Sequence, residues 1–175
     1  MKGEVADHSW VPPDTDEKMK AFSAFIEGPA SIPDAAGVIP AILEDVMEKS
    51  GGKISRWAAL GFCWGYKEYR TQVVASESGP GTPFVAAAVA HPSFLTPEDA
   101  SKITIPFCIL PSMNEDQEVC MGFEANLKVE KHIETFADMP HGWMAARGDL
   151  ADAHSRAEFE REYSVVGSSL KRYLS

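Results

Sequence analysis

The stretch at 54–65, ISRWAALGFCWG, decides the fold. Ile54–Phe62 reads as a strand, and it ends in Gly61-Phe62-Cys63-Trp64-Gly65. The following segment, Tyr66–Ala75, reads as a helix with Tyr66, Tyr69, Val73 and Val74 on one side. A glycine two residues before and two residues after a nucleophilic side chain, between a strand and a helix, is the pattern of a nucleophile elbow, here with cysteine in place of serine. The glycines leave room for a turn so tight that the central residue is held in strained backbone angles. Such a turn lifts Cys63 above the sheet and sets the Trp64 N–H beside an attacked carbonyl as an oxyanion donor. The helix N-terminus behind it favours a thiolate. The plainer alternative is a small apolar cysteine in a glycine-containing turn.

Downstream, strands and helices alternate. Phe84–Ala90 is a continuous apolar run, as expected of a strand buried on both faces. Ile103–Leu110 is similar despite Pro106, and His132–Phe136 is a further strand. Val119–Leu127 reads as a short helix, and Ala151–Leu174 as a long one carrying Phe159, Tyr163, Val166 and Leu170 in register. This alternation predicts an α/β fold, a three-layer α/β/α sandwich with a mostly parallel sheet of about four strands. Parallel strands point their carboxyl ends to one edge, where α/β sites form. Cys63, His91, the Asn114–Asp116 turn and His141 each follow a separate strand, so all four are expected at that edge. His141 is the candidate base and His91 a candidate pocket residue. His8, His132 and His154 read as surface or packing residues.

Upstream, Asp7–Pro13 is loop-like. A helix is expected from about Thr15 to the Gly28-Pro29 stop, and a second over Asp34–Ser50, closed by Gly51-Gly52, with Pro40 marking its start or a kink. No strand is expected before residue 53.

The 175 residues suit one domain spanning 1–175. The net charge of −10, without a basic stripe, argues against nucleic acid and anionic membrane surfaces as partners. The longest clean apolar run, Phe84–Ala90, is far short of the roughly 20 residues of a membrane span. Gly3, Glu4 and Asp7 leave no signal-peptide apolar core, and the spacing of Cys63, Cys108 and Cys120 matches no zinc motif. A reducing cytoplasm is the expected compartment.

The elbow GFCWG at 61–65, His91-Pro92, the turn at 112–116 and the HGWMAAR run at 141–147 together resemble the dienelactone hydrolase family of α/β-hydrolases, in its fungal-type branch. The resemblance covers essentially the whole chain. It implies hydrolysis of a small ester or lactone through a Cys–His–Asp triad and an acyl-enzyme, with no metal or organic cofactor. Cys63 and His141 take the nucleophile and base positions. The acid position is open between Asp116 and Asn114, the latter standing where the family's Asp aligns. His91, Trp143 and Arg147 are expected at the substrate. For Arg147, an ion pair with Asp149 or Asp152 is the alternative to holding a substrate carboxylate.

Three departures from the family pattern matter. The family's strands ahead of the segment corresponding to Asp7–Pro13 have no counterpart here, so the domain is expected to be N-terminally shortened, a partial α/β-hydrolase fold. Its elbow strand would lie at an open edge that favours homo-oligomers. The acid position carries Asn or a shifted Asp. Tyr66 stands where the family commonly has a second glycine. The alternative to an active hydrolase is therefore a low-activity shortened paralogue, or a fragment, acting as a binding module.

Overall fold

The computed structural model describes residues 4–10, 14–63, 78–93 and 95–175. The expected helix at Tyr66–Ala75 and Trp64, whose N–H is the expected oxyanion donor, fall outside these residues. The chain divides into two compact units, Met1–Lys53 and Ile54–Ser175.

The first unit is helical. Helix α1 (Asp16–Glu27) is capped by Thr15, whose Oγ1 accepts from the Lys18 N–H at 3.3 Å. That contact satisfies one of the orphan amides of the first turn. Phe25 is buried on its inner face, with its ring 6.1 Å from that of Trp10. The expected second helix divides in two, α2 (Ile32–Gly37) and α3 (Ile39–Lys49). Pro40 sits in the first turn of α3, where a missing N–H costs nothing. Gly51 and Gly52, at φ of 65° and 72°, end α3 in the left-handed region. Among the described residues no strand precedes Trp57.

The second unit is a three-layer α/β fold. Its four strands, β1 (Trp57–Phe62), β2 (Phe84–Ala90), β3 (Phe107–Leu110) and β4 (Lys131–Ile133), lie in that order and are parallel throughout. β1 stands at one edge of the described sheet. Successive side chains along a strand point to opposite faces, and the core divides accordingly. Ala87, Val89, Phe107 and Ile109 face Ala100 of α4 (Pro97–Ala100) and Phe123 of α5 (Gln117–Asn126). Ala88, Ala90, Cys108 and Leu110 face Phe136, Trp143, Met144 and Val166, the last on α6 (Ala153–Leu174). The alanines of β2 let both layers approach closely.

Three strands are shorter than expected from the sequence, and β1 begins at Trp57 instead of Ile54. Ile103 is buried, but β3 starts only after Pro106, which has no N–H for the ladder. β4 ends at Ile133, and Phe136 rejoins as a lone bridge to Ser112. Helix α4 has no counterpart in the sequence-based expectation. No helix among the described residues is long and apolar enough to cross a membrane.

Candidate active site

Cys63 follows the last residue of β1 with φ of 48°, a region non-glycine residues avoid because Cβ crowds the backbone. The strain, of order 1–3 kcal/mol, is held by the flanking chain. The Cys63 N–H donates to the Ala90 carbonyl at 3.2 Å, and the Cys63 carbonyl accepts from Ser93 N–H at 3.0 Å. His91 leaves β2 in the same manner, with φ of 38° and its N–H on the Leu110 carbonyl at 2.8 Å. Two neighbouring strands thus end in the same left-handed bend, and the two side chains are turned toward each other.

His141 completes the group from the loop after β4. Its Nε2 lies 2.9 Å from Cys63 Sγ, and its Nδ1 lies 2.6 Å from Glu115 Oε1. Ser93 Oγ sits 3.3 Å from the same Nε2 and 3.5 Å from Sγ. The loop is tied at both ends of the histidine. Asn114 Oδ1 accepts the His141 N–H at 2.7 Å, and Arg147 donates to the His141 carbonyl at 3.1 Å. Gly142, at φ of 91°, makes the turn that follows.

The acid beside His141 is therefore neither residue expected from the sequence. Asp116 faces away and caps α5, accepting from Glu118 N–H at 2.8 Å and Val119 N–H at 3.2 Å. Asn114 holds the backbone of His141 rather than its ring. Glu115, between them, reaches the ring, and its second oxygen accepts from the Ser112 N–H. The spacing Ser112-x-x-Glu115 was the available signal, since a carboxylate three residues after a serine commonly folds back on the turn.

Three further expected residues are placed as follows. Trp143 is buried at 1% exposure, edge-on to His91 (5.3 Å) and tilted against Phe136 (5.2 Å), and is not among the residues that line the cleft. Arg147 pairs with neither Asp149 nor Asp152. Asp149 accepts amides of the α6 approach, and Asp152 caps α6. His91 is wholly buried and lies beneath His141 instead of lining the opening. His132 and His154 are exposed beside Glu134 and Asp138.

The electrostatics favour a charged pair. Burial pushes the Cys63 thiol up, but the hydrogen bonds of His141 and Ser93, with the nearby His91 ring, outweigh it and bring the pKa down to about 6. His91 acts there through proximity, because neither of its ring nitrogens reaches a hydrogen-bond partner among the described residues. His141 is raised to about 9 by its bonds to Cys63 and Glu115, against the opposing effect of burial. Burial raises Glu115 too, yet His141 and Ser112 hold it below the ordinary carboxylate range. These directions favour a thiolate facing an imidazolium near neutral pH, supported by a carboxylate.

A cleft of about 330 Å³ opens over His141, bordered by Pro92, Ser93, Leu95, Val119 and Cys120. A larger one of about 460 Å³ lies at the amino ends of β2–β4, beside Pro106, Lys131 and Arg172, remote from this chemistry. The smaller cleft is the one that borders His141, Glu115 and Ser93; Cys63 is not among its lining residues.

A parallel α/β sheet with a thiol, an imidazole and a carboxylate aligned at its carboxyl edge defines a hydrolase-like class of protein. The chain belongs to the AIM2 family. It is 34% identical over 170 residues, covering 94% of the chain, to an uncharacterized AIM2 family protein of Schizosaccharomyces pombe. It is 31% identical over 173 residues, covering 96% of the chain, to a second such protein of that yeast. It is also 28% identical over 148 residues to a protein named Hydrolase pyvD of Aspergillus violaceofuscus, covering 81% of the chain. The chain spans 66%, 67% and 57% of the lengths of these three relatives. No protein-family model matches it.

Proposed function

We propose that the chain carries the active site of a dienelactone-hydrolase-type enzyme that cleaves a small ester or lactone through Cys63. The observation that carries this reading is the continuous contact Cys63 Sγ–His141 Nε2–Glu115 Oε1, at 2.9 and 2.6 Å. It has the order of a nucleophile–base–acid triad, with Glu115 as the acid. The thiolate of Cys63 adds to the carbonyl carbon, and the carbonyl oxygen takes the electron pair. The His141 imidazolium gives its Nε2 proton to the departing alkoxide as the C–O bond breaks. Neutral His141 then takes a proton from water, which attacks the thioester. The acid leaves, and the thiolate–imidazolium pair is restored. Glu115 stays ionised and holds Nδ1–H toward itself, keeping Nε2 toward sulfur. Trp64, whose N–H is the expected oxyanion donor, lies outside the described residues. Self-association through the β1 edge belongs to the same proposal, and light scattering of the full chain tests it.

p-Nitrophenyl acetate tests the chemistry. The full chain should release a stoichiometric burst of p-nitrophenol and then turn over slowly, because acylation of a thiolate is easier than deacylation by water. Cys63→Ala should abolish the burst. A chain with no burst, or one equally active as Cys63→Ala, is a binding module rather than a thiol hydrolase.

A further inference from the structure

His91 stands beside Cys63 and His141, yet the proposed hydrolysis does not use it. It is wholly buried, and both ring nitrogens lack a hydrogen-bond partner among the described residues. A buried polar group left unpaired is destabilising. His91 adds backbone strain to that cost, with φ of 38°. A phenylalanine would fill the space between His141 and Trp143 without an orphaned nitrogen. The ring of His91 meets that of His141 edge-on, with centroids 4.9 Å apart. One donor atom from each of Cys63, His91 and His141 lies within 4.8 Å of the other two.

We propose that Cys63, His91 and His141 form a binding site for a zinc-type divalent cation, which occupies the nucleophile and the base together and holds the site reversibly silent. One sulfur and two imidazole nitrogens are the donor set of zinc and cobalt, whereas magnesium and calcium take oxygen. Donors bound to a tetrahedral zinc at about 2.0–2.3 Å stand roughly 3.3–3.8 Å from one another. The Cys63–His141 contact of 2.9 Å must open a little, and the widest separation, within 4.8 Å, must close by at most about 1 Å. Glu115 already accepts from the far nitrogen of His141, as carboxylates commonly do behind a metal-bound histidine. Ser93 Oγ lies 3.5 Å from Sγ and 3.3 Å from Nε2, and a water would complete the tetrahedron. On binding, sulfur donates its electron pair to the cation, and the Nε2 proton of His141 leaves to solvent. No uncoordinated thiolate then remains to attack and no Nε2 proton to transfer. The site uses residues of the proposed triad, but its existence does not depend on their doing hydrolysis.

Cobalt(II) and zinc(II) added to the full chain test it. Cobalt should bind one to one and give a thiolate-to-metal charge-transfer band that Cys63→Ser removes. X-ray absorption of the zinc-loaded chain should count one sulfur and two imidazoles. His91→Gln, with His91→Ala as a second variant and circular dichroism as the check on folding, should weaken zinc by at least the roughly 10–100-fold that loss of a supporting residue costs. Zinc should suppress the p-nitrophenyl acetate burst, and a chelator should restore it. A zinc site without sulfur, or with a single imidazole, overturns the proposal, as does unchanged affinity in a folded His91 variant. The two readings fail separately. Metal binding in a chain that shows no burst defeats the hydrolase and keeps the metal site. A burst with no charge-transfer band does the reverse.

Discussion

Glu115 and His141 are joined side chain to side chain, Oε1 to Nδ1, at 2.6 Å, across 26 positions of sequence. The Glu115 carboxylate is 7% exposed and the His141 ring 24%, so the contact is largely shielded from water while Nε2 stays within reach of the cleft. Shielding strengthens a charged hydrogen bond relative to one at the surface. Glu115 therefore supports the charge of His141 and fixes its tautomer together.

Glu115→Gln keeps the volume and removes the charge. The slow phase with p-nitrophenyl acetate should fall by roughly 10²–10⁴, as loss of the acid does in other triads. Asp116→Ala should leave that phase intact and cost about 0.5–2 kcal/mol in urea unfolding, since it removes the α5 cap. Asn114→Asp should not speed turnover, because position 114 addresses the His141 backbone. Normal turnover in Glu115→Gln with loss in Asp116→Ala would move the acid to position 116.

Thiol labelling should separate the three cysteines, which are all free. Burial raises both Cys108 and Cys120 to about 11, and Glu115 and Asp116 push Cys120 in the same direction. Cys63 is a thiolate above about pH 6. Iodoacetamide at pH 7 should modify Cys63 first, and its rate should rise with pH through about 6 rather than near 9. Peptide mapping reads the order of labelling, and Cys120 modified ahead of Cys63 would refute it.

Glu162 on α6 is wholly buried, and neither carboxyl oxygen has a partner among the described residues. Burial raises its pKa to about 8, against a weaker pull from Arg161. The folded chain therefore keeps a proton that the unfolded chain releases above about pH 4.5. Stability from this group falls as pH rises from 4.5 toward 8. Glu162→Met should raise the midpoint of thermal unfolding at pH 8 more than at pH 5, by an amount equivalent to about 1–3 kcal/mol. An equal effect at both pH values would contradict the protonation argued for Glu162.

Gly142 occupies φ of 91°, and a Cβ there would lie 3.2 Å from Arg147 Cδ. Gly142→Ala should destabilise the chain by about 1–3 kcal/mol and slow the burst, because the His141 loop must shift. Chemical denaturation and stopped-flow absorbance measure the two effects. A burst of normal rate in this variant would show that the loop tolerates the change.

Much of the architecture was legible in the chain. Phe84–Ala90 is a strand over the whole of its apolar run, and Thr15 caps the helix expected after it. These features depend on residues close in sequence, where periodicity and capping chemistry decide. The elbow cysteine was legible for the same reason, since a strand ending in Gly61-Phe62-Cys63 dictates a local bend.

The carboxylate that meets the His141 ring was not legible, because Asn114, Glu115 and Asp116 are three adjacent polar side chains in one turn. Composition ranks them nearly equally. What separates them is where the loop after β3 runs. The amides of α5 claim Asp116, the His141 N–H claims Asn114, and the ring nitrogen is left to the longer side chain of Glu115. Trp143 and His91 passed from expected pocket residues to buried ones in the same way, once α6 and Phe136 closed over that face of the sheet. Local patterning determined the strands, the caps and the bend at Cys63. Tertiary structure decided which carboxylate meets His141, because direction in a loop is set by the partners that distant segments bring to it.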